Sequence, residues 1–316
     1  MSDKRKLIAL AVLAAGLIAL FMLIDGSGNW DYVLPKRAKK IAAILLTGSA
    51  IAVSTVIFQT LTNNKILTPS LIGLDSLYLL LHTGIVFFFG SATLTMMGKN
   101  AQFALAVGLM AMFAVLLFKL LFRREGRHLY FLLLFGIICG TFFSSISSFL
   151  QMLLDPNEFL VVQDKMFASF NSINTDLLWI SSAAIVLACL YFRRDFKYLD
   201  VLALGRDHAV NLGVDVDRIT KRLLVAIALL VSISTALVGP VTFLGLLVAN
   251  LAYQLMNGSE HRVVVPAASL VSIAALVGGL LIVERVFTFS TSLSVILNFI
   301  GGAYFLYLLL KESKSI

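Results

Sequence analysis

Residues 41–61 read IAAILLTGSAIAVSTVIFQTL. The run contains no Asp, Glu, Lys or Arg, and its length matches the roughly 20 residues a helix needs to cross a bilayer. Working outward, similar apolar stretches fall near 7–24, 71–90, 101–122, 129–154, 177–192, 223–238, 241–256, 264–283 and 291–310. Hydrophobic residues make up 59% of the 316-residue chain, charged residues 13%, and the mean hydropathy is +0.96. No soluble core hides that much apolar surface, so the expected solvent is lipid. The expected fold class is all-α: a polytopic membrane protein of about ten transmembrane helices, with residues 1–316 forming one transmembrane unit. Gly239-Pro240 divides the long 223–256 stretch, because proline removes a donor and clashes with the preceding turn. Lys4, Arg5 and Lys6 precede the first stretch as they would in a secretory signal. Its apolar run is longer than a signal core and no small-residue cleavage site follows before Asp25, so it reads as a span.

Orientation follows from the 25 Lys and Arg residues, because basic residues concentrate on the cytoplasmic side. With the N-terminus inside and ten alternating spans, most of them fall inside. They are Lys4–Lys6, Lys65, the segment from Lys119 to Arg127, the segment from Arg193 to Arg222, Arg262, Lys311 and Lys314. Both termini are therefore expected in the cytoplasm. The net charge of +8 then reports topology, and no nucleic-acid partner is expected.

The chain has no GxxxxGK[ST], HExxH, GxSxG or CxxC motif, so no phosphate-cradling loop, metalloprotease helix or nucleophile elbow is expected. His82, His128, His208 and His261 are scattered and suggest no metal site. Cys139 and Cys189 lie inside apolar spans as small packing residues. Acidic residues avoid the middles of the spans, with Asp75 and Glu284 near span ends. Ion-coupled transporters place costly ionisable groups at depth, so the energy for transport is expected from a partner. An ion-coupled secondary transporter is the alternative class.

The loop from Arg193 to Arg222 carries apolar residues at 201, 204, 209 and 212 near helical spacing, with Gly213 placed to stop a helix. Its apolar side either packs on the protein's own spans and the lipid interface or docks another protein. Lys36, Arg37, Lys39 and Lys40 stand on the outer side, against the general trend, with Arg285 near them. They serve as headgroup anchors or receive an acidic partner. The run from Gln59 to Gly73 gathers Asn, Pro and Gly and suggests a structured re-entry. Gly136 and Gly140 form a small-xxx-small pair that permits close helix approach. Ser144, Ser148 and Gln151 form a polar stripe, suited to interhelical hydrogen bonds or to a water-filled path. Asn250 and Gln254 read as structural.

These loops, in this order, resemble the FecCD-type permeases of ABC importers for iron–siderophore complexes and vitamin B12. Arg37-Ala-Lys-Lys40 leading to Gly48-Ser-Ala-Ile-Ala-Val-Ser54 and Gln59 is similar to R-x-P-R…G-A-x-L-A-x-S-G…Q. Asn64-Lys-Ile-Leu-Thr-Pro69…Gly73 is similar to N-P-L-A-x-P…G. The third motif is Leu204-Gly205…Leu212-Gly213-Val214. The fourth, Gly239-Pro-Val-Thr-Phe-Leu-Gly245 with Gly258-Ser-Glu-His261-Arg262 and Pro266, is similar to G-P-I-x-F-x-G…G-x-D-H-R…P.

The resemblance implies a type II importer permease working in pairs, as a homodimer or with a second, related permease. Its other partners would be a cytoplasmic ABC ATPase dimer and an extracytoplasmic siderophore-binding protein, in a bacterial cytoplasmic membrane. It implies ATPase coupling through Leu204, Gly205, Arg206, Leu212, Gly213 and Val214. Arg37, Lys40 and Arg285 would dock the binding protein. Ser144, Ser148 and Gln151 would face Asn298, Gly301 and Gly302 of span ten across the pathway. No cofactor is expected on this chain itself; ATP and Mg would bind the partner ATPase. The sequence departs from the family at Ala249-Asn250, where Pro-His is usual, at Lys39, where proline is usual, and in a shortened region at Ser292–Ile296. These changes tilt the cargo towards a ferric siderophore, with haem or vitamin B12 as alternatives.

Overall fold

The computed structural model describes residues 2–24, 30–121, 129–171, 173–258, 260–288 and 291–313, and among them regular structure is helical throughout. Fourteen α-helices follow in order: α1 (Asp3–Leu23), α2 (Trp30–Thr62), α3 (Leu74–Phe89), α4 (Ser91–Met96), α5 (Lys99–Leu121), α6 (Leu129–Met152) and α7 (Pro156–Met166), then α8 (Thr175–Phe196), α9 (Leu199–Leu202), α10 (Arg206–Asn211), α11 (Val216–Val238), α12 (Leu244–Leu255), α13 (His261–Arg285) and α14 (Leu293–Ser313). A 3-10 turn at Pro69–Ile72 leads into α3. Seven helices are long and apolar enough to cross a membrane: α1, α2, α5, α6, α8, α11 and α13. Three shorter apolar helices, within α3, α12 and α14, complete the set expected from the sequence.

At about 1.5 Å per residue, the 12 residues of α12 reach only about 18 Å. The short Gly239–Phe243 segment, which turns at Thr242 and Phe243, joins it to α11. Gly239 sits at φ 100° and ends α11. A Cβ there would stand 3.0 Å from the Phe167 carbonyl. The α7–α8 linker is tucked beneath this turn: Ser169 N–H donates to the Val238 carbonyl at 2.7 Å, and Ala168 N–H donates to Ser294 Oγ at 2.7 Å.

The centre of the bundle is α2, flanked by α13 and α11, with α12 against both α2 and α13. These helices carry apolar residues around most of their circumference, as buried helices do. α1 leans on α13, whereas α5 and α8 lean on α11. α6 packs on α3 and the 3-10 turn, and much of its remaining surface is bare, including Phe135, Ile138, Phe142 and Phe149.

The paired glycines explain how α6 approaches. A Cβ on Gly136 would lie 2.9 Å from the Ile72 Cα, and one on Gly140 would lie 3.2 Å from the Gly73 Cα. Backbone meets backbone, so nothing can swing aside. Gly136→Val is expected to destabilise the chain by about 1–3 kcal/mol, read as a lower midpoint of thermal unfolding in detergent; an unchanged midpoint would refute the close packing.

Three features differ from the sequence-based expectation. The second span is longer, because α2 begins at Trp30 and carries Lys36–Lys40 on a continuous helix. Pro35 is tolerated within it near the N-terminal end, where few backbone bonds are lost. Residues 156–166 form an unanticipated helix, α7, between the fifth and sixth spans. The amphipathic stretch at 201–212 is two short helices, because Gly205 at φ 97° separates α9 from α10. Arg123, Arg124 and Arg127 of the inside basic segment lie outside the described residues.

Candidate functional site

One end of the bundle gathers residues 62–73, 197–215, 256–258 and 260–261. α9 and α10 lie across it. Leu199, Leu202 and Ala209 are buried against Val216, Ile219 and Leu223. Leu204, Val210 and Leu212 point away and are each more than half exposed. The element packs one side on the protein's own spans and leaves a second set of large apolar side chains uncovered.

The tip is held rigidly. α10 ends in a Schellman motif, in which Val214 N–H donates to the Ala209 carbonyl at 3.1 Å and Gly213 N–H to the Val210 carbonyl at 2.9 Å. This places Gly213 at the left-handed position, φ 79°, where glycine is favoured. Arg206 forks onto Asp217, Nη1 to Oδ1 at 2.8 Å and Nη2 to Oδ2 at 3.0 Å. Arg222 Nε donates to Asp195 Oδ2 at 2.9 Å, tying α11 to the end of α8.

A second connection runs inward. The His261 backbone N–H donates to Asp200 Oδ1 at 2.8 Å, and its ring Nδ1 lies 2.7 Å from the same oxygen. Because a carboxylate only accepts, Nδ1 carries the proton. The far nitrogen, Nε2, stands 2.6 Å from Thr60 Oγ1. One imidazole therefore joins α9, α13 and α2. Beside it, the Lys65 carbonyl accepts from Gln59 Nε2 at 2.6 Å and from Asn250 Nδ2 at 2.8 Å. Asn250, standing where the family has histidine, thus anchors the 63–68 loop. α2 itself stops at Asn63, φ 48°, a residue that tolerates the left-handed region. Gln59, Thr60, Asp200 and His261 line a cavity of about 600 Å³ together with Leu204 and Arg262.

At the opposite end, Arg37 and Lys40 are held by contacts within the chain. Arg37 Nη1 donates to the carbonyls of Phe21 at 2.9 Å, Met22 at 3.2 Å and Ile24, capping the last turn of α1. Lys40 Nζ pairs with Glu284 Oε1 at 2.8 Å, the two side chains 12% and 11% exposed. Arg285 is exposed at the end of α13. Lys36, also exposed, stands over the Tyr32 ring. Lys40→Met would leave the Glu284 carboxylate in place without this ammonium. Breaking such a pair from one side costs about 3–5 kcal/mol, whereas replacing both partners with apolar residues is often nearly neutral. Lys40→Met is therefore expected to unfold at lower temperature, with Lys40→Met/Glu284→Leu recovering most of the loss; equal midpoints for the single and double variants would contradict the pairing.

The pathway stripe divides. Ser144 Oγ donates to Ser76 Oγ at 3.0 Å, and Gln151 Nε2 donates to Ser147 Oγ at 2.9 Å and Thr83 Oγ1 at 3.3 Å, so these bind α6 to α3. Ser148 lies on the uncovered face with Thr141 and Ser145. In α14, Asn298 Oδ1 accepts from Thr242 Oγ1 at 3.1 Å. A Cβ on Gly301 would meet Phe243 Cβ at 2.5 Å, so Gly301 serves close packing, while one on Gly302 would meet nothing within 4 Å. Neither the joining of Thr141 and Ser145 to Ser148 on the uncovered face nor the His261 connection was picked out from the sequence. The first was visible as i, i+4, i+7 spacing, whereas the second depends on contacts between distant segments.

With this geometry in hand, comparison with known proteins gives a consistent picture. The model of the FecCD transport family matches residues 6–311. The petrobactin import system permease protein YclO of Bacillus subtilis is 58% identical over 315 residues, covering 100% of both chains. The petrobactin import system permease protein FatC of Bacillus anthracis is 34% identical, covering 97% of this chain and 88% of its own. A metal-chelate type ABC transporter solved in an inward-facing conformation superposes with a TM-score of 0.85 at 21% identity, covering 98% of this chain and 100% of its own; at that identity the likeness concerns the fold. The chain belongs to the FecCD transport family, the permease subunits of ABC importers, and is a multi-pass membrane protein.

Proposed function

We infer that this chain is the membrane-spanning permease of an ATP-driven importer that carries a ferric siderophore inward across the bacterial cytoplasmic membrane by alternating access. The observation that carries the cargo class is the full-length 58% identity to a petrobactin import permease, which favours ferric petrobactin over haem or vitamin B12. ATP and Mg are handled by a separate ATPase dimer, seated on Leu204, Val210 and Leu212 and on the Gly205 and Gly213 turns. Arg206 shapes that tip through Asp217. A binding protein delivers the cargo at the outer end, where Arg285 and Lys36 are the exposed cations and Arg37 and Lys40 act by shaping the surface. Charge pairs of this kind chiefly set encounter rate and register, and salt should weaken them.

A second permease subunit, either a copy of this chain or a related one, covers the bare face of α6. The path then runs between the two subunits past Ser148 and Gly302, with Ser144, Gln151, Asn298 and Gly301 supporting its walls. Both termini are cytoplasmic in this reading. Nucleotide binding to the ATPase shifts the population between inward-open and outward-open arrangements, and the permease supplies the differential contacts. Deleting the gene should abolish growth on ferric petrobactin as sole iron source, and a plasmid copy should restore it. Undiminished growth of the deletion strain would sink the cargo assignment.

A further inference from the structure

The outer end of the bundle holds a second cavity, of about 520 Å³, between α3, the first turn of α5, α7 and the end of α11. None of the roles assigned above uses it. Its polar lining includes Tyr78, His82, Lys99, Gln102, Asp164 and Lys165, with the hydroxyl residues Thr95 and Ser169. His82 is 2% exposed and Tyr78 5%. His82 Nδ1 lies 2.9 Å from the Tyr78 carbonyl, and a carbonyl only accepts, so Nδ1 bears the proton. Nε2 on the far side of the ring has no hydrogen-bond partner among the described residues, and neither has Tyr78 Oη. Buried polar groups are normally satisfied, so both are poised for a ligand.

The charges point to what that ligand is. Lys165 Nζ reaches only Gln102 Oε1, at 3.4 Å, beyond the usual range of a good hydrogen bond. Burial, and next the like charge of Lys99, lower its ammonium from the ordinary value, with the Asp164 carboxylate opposing. Gln102 cannot swing to serve Lys165 better, because its Nε2 is held by the carbonyls of Leu94 at 2.5 Å and Met97 at 3.0 Å. The opening turn of α5, a 23-residue helix, adds the positive end of its dipole to the same wall. The cavity therefore holds two ammonium groups against one carboxylate, a bare imidazole nitrogen that accepts a hydrogen bond, and a phenol that donates one.

We propose that this cavity binds a phosphate group, with Lys99 and Lys165 on its anionic oxygens, Tyr78 Oη donating to a further oxygen, and His82 Nε2 receiving its hydroxyl. Free inorganic phosphate and a phosphomonoester carry both the anionic oxygens and the P–OH. The phosphodiester of an anionic lipid headgroup carries only the oxygens and would leave Nε2 to another hydroxyl.

The test uses the full chain in phosphatidylcholine nanodiscs without the ATPase, which would itself bind phosphate. Calorimetric titration with inorganic phosphate should reveal one saturable site with Kd at or below about 1 mM. Lys165→Gln and His82→Asn should each weaken it by roughly tenfold or more, while Lys119→Gln, at the other end of α5, binds as the unaltered chain does. In parallel, native mass spectrometry of the chain from phosphatidylglycerol discs identifies a lipid source: phosphatidylglycerol retained by the unaltered chain and lost from Lys165→Gln would assign the site to a headgroup. Two results overturn the proposal: neither phosphate binding nor Lys165-dependent lipid retention, or binding that survives both cavity variants unchanged.

Discussion

Gly213→Val is expected to lower ATP-driven uptake by about tenfold or more while leaving the chain in the membrane at its normal level. Gly213 lies at φ 79°, where a β-branched residue is a steric outlier. Left-handed backbone costs an L-residue about 1–2 kcal/mol, and that is enough to change a local equilibrium by about 5- to 30-fold. The alternative local state gives up the Schellman bonds from Gly213 and Val214 to the end of α10, and with them the placement of Val210 and Leu212. No heavy atom stands within 4 Å of the position a Cβ would take, so the effect acts through the backbone and not through a clash. The same reasoning makes Gly213→Asn much milder, because asparagine visits this region. Uptake rates per membrane-inserted chain measure the difference. Normal uptake by the valine variant would remove α10 from the coupling path, and equal losses in both variants would replace the backbone argument with a surface one.

His261→Ala should uncouple the importer: ATP hydrolysis persists, but uptake per ATP falls by about tenfold. The substitution removes the ring contacts to Asp200 Oδ1 at 2.7 Å and Thr60 Oγ1 at 2.6 Å. Hydrogen bonds involving a charged group are worth about 1.5–3 kcal/mol, so α9 loses its firmest hold on α2 and α13. Burial acts to raise the Asp200 carboxyl, but the His261 backbone and ring hydrogen bonds outweigh it and hold the group below its ordinary value. A depressed carboxylate contributes above its unfolded value and loses that contribution as pH falls through the folded one. The link is thus fully charged on the carboxylate side at neutral pH. Asp200→Asn keeps an accepting oxygen for His261 and should couple better than His261→Ala. The readout is the ratio of cargo imported to ATP hydrolysed in proteoliposomes containing the complete importer. An unchanged ratio, or a parallel fall of the chain's level in the membrane, would reduce His261 to a structural residue.

The membrane spans were legible because lipid imposes a local, additive rule: about 20 apolar residues in sequence. The shorter α12 was legible for a different reason, since Gly239-Pro240 marked its break from α11. Gly136 and Gly140 were legible as a close-approach pair, although the partner backbone, Ile72 and Gly73, was not. α7 was missed because residues 156–166 mix apolar and charged residues too evenly to stand out as either a span or a loop. The amphipathic stretch at 201–212 was legible as helical, but its division required knowing that Gly205 adopts a positive φ, which many glycines do not.

The basic cluster at residues 36–40 shows the deeper limit. Lys36, Arg37, Lys39 and Lys40 look alike in sequence, yet Lys40 meets Glu284, 244 residues away, while Arg37 closes off the end of α1. Their division into partnered and exposed cations is a property of packing. The Thr60–His261–Asp200 link likewise joins three segments that no periodicity relates.

The central claim is that nucleotide hydrolysis, and not an ion gradient, moves a ferric siderophore through this chain. The direct measurement is uptake of ferric petrobactin into proteoliposomes that contain the permease, its ATPase and its binding protein. The account predicts uptake that requires both ATP and the binding protein and that survives an ionophore. Uptake driven by an ion gradient without ATP, and collapsed by the ionophore, would contradict it.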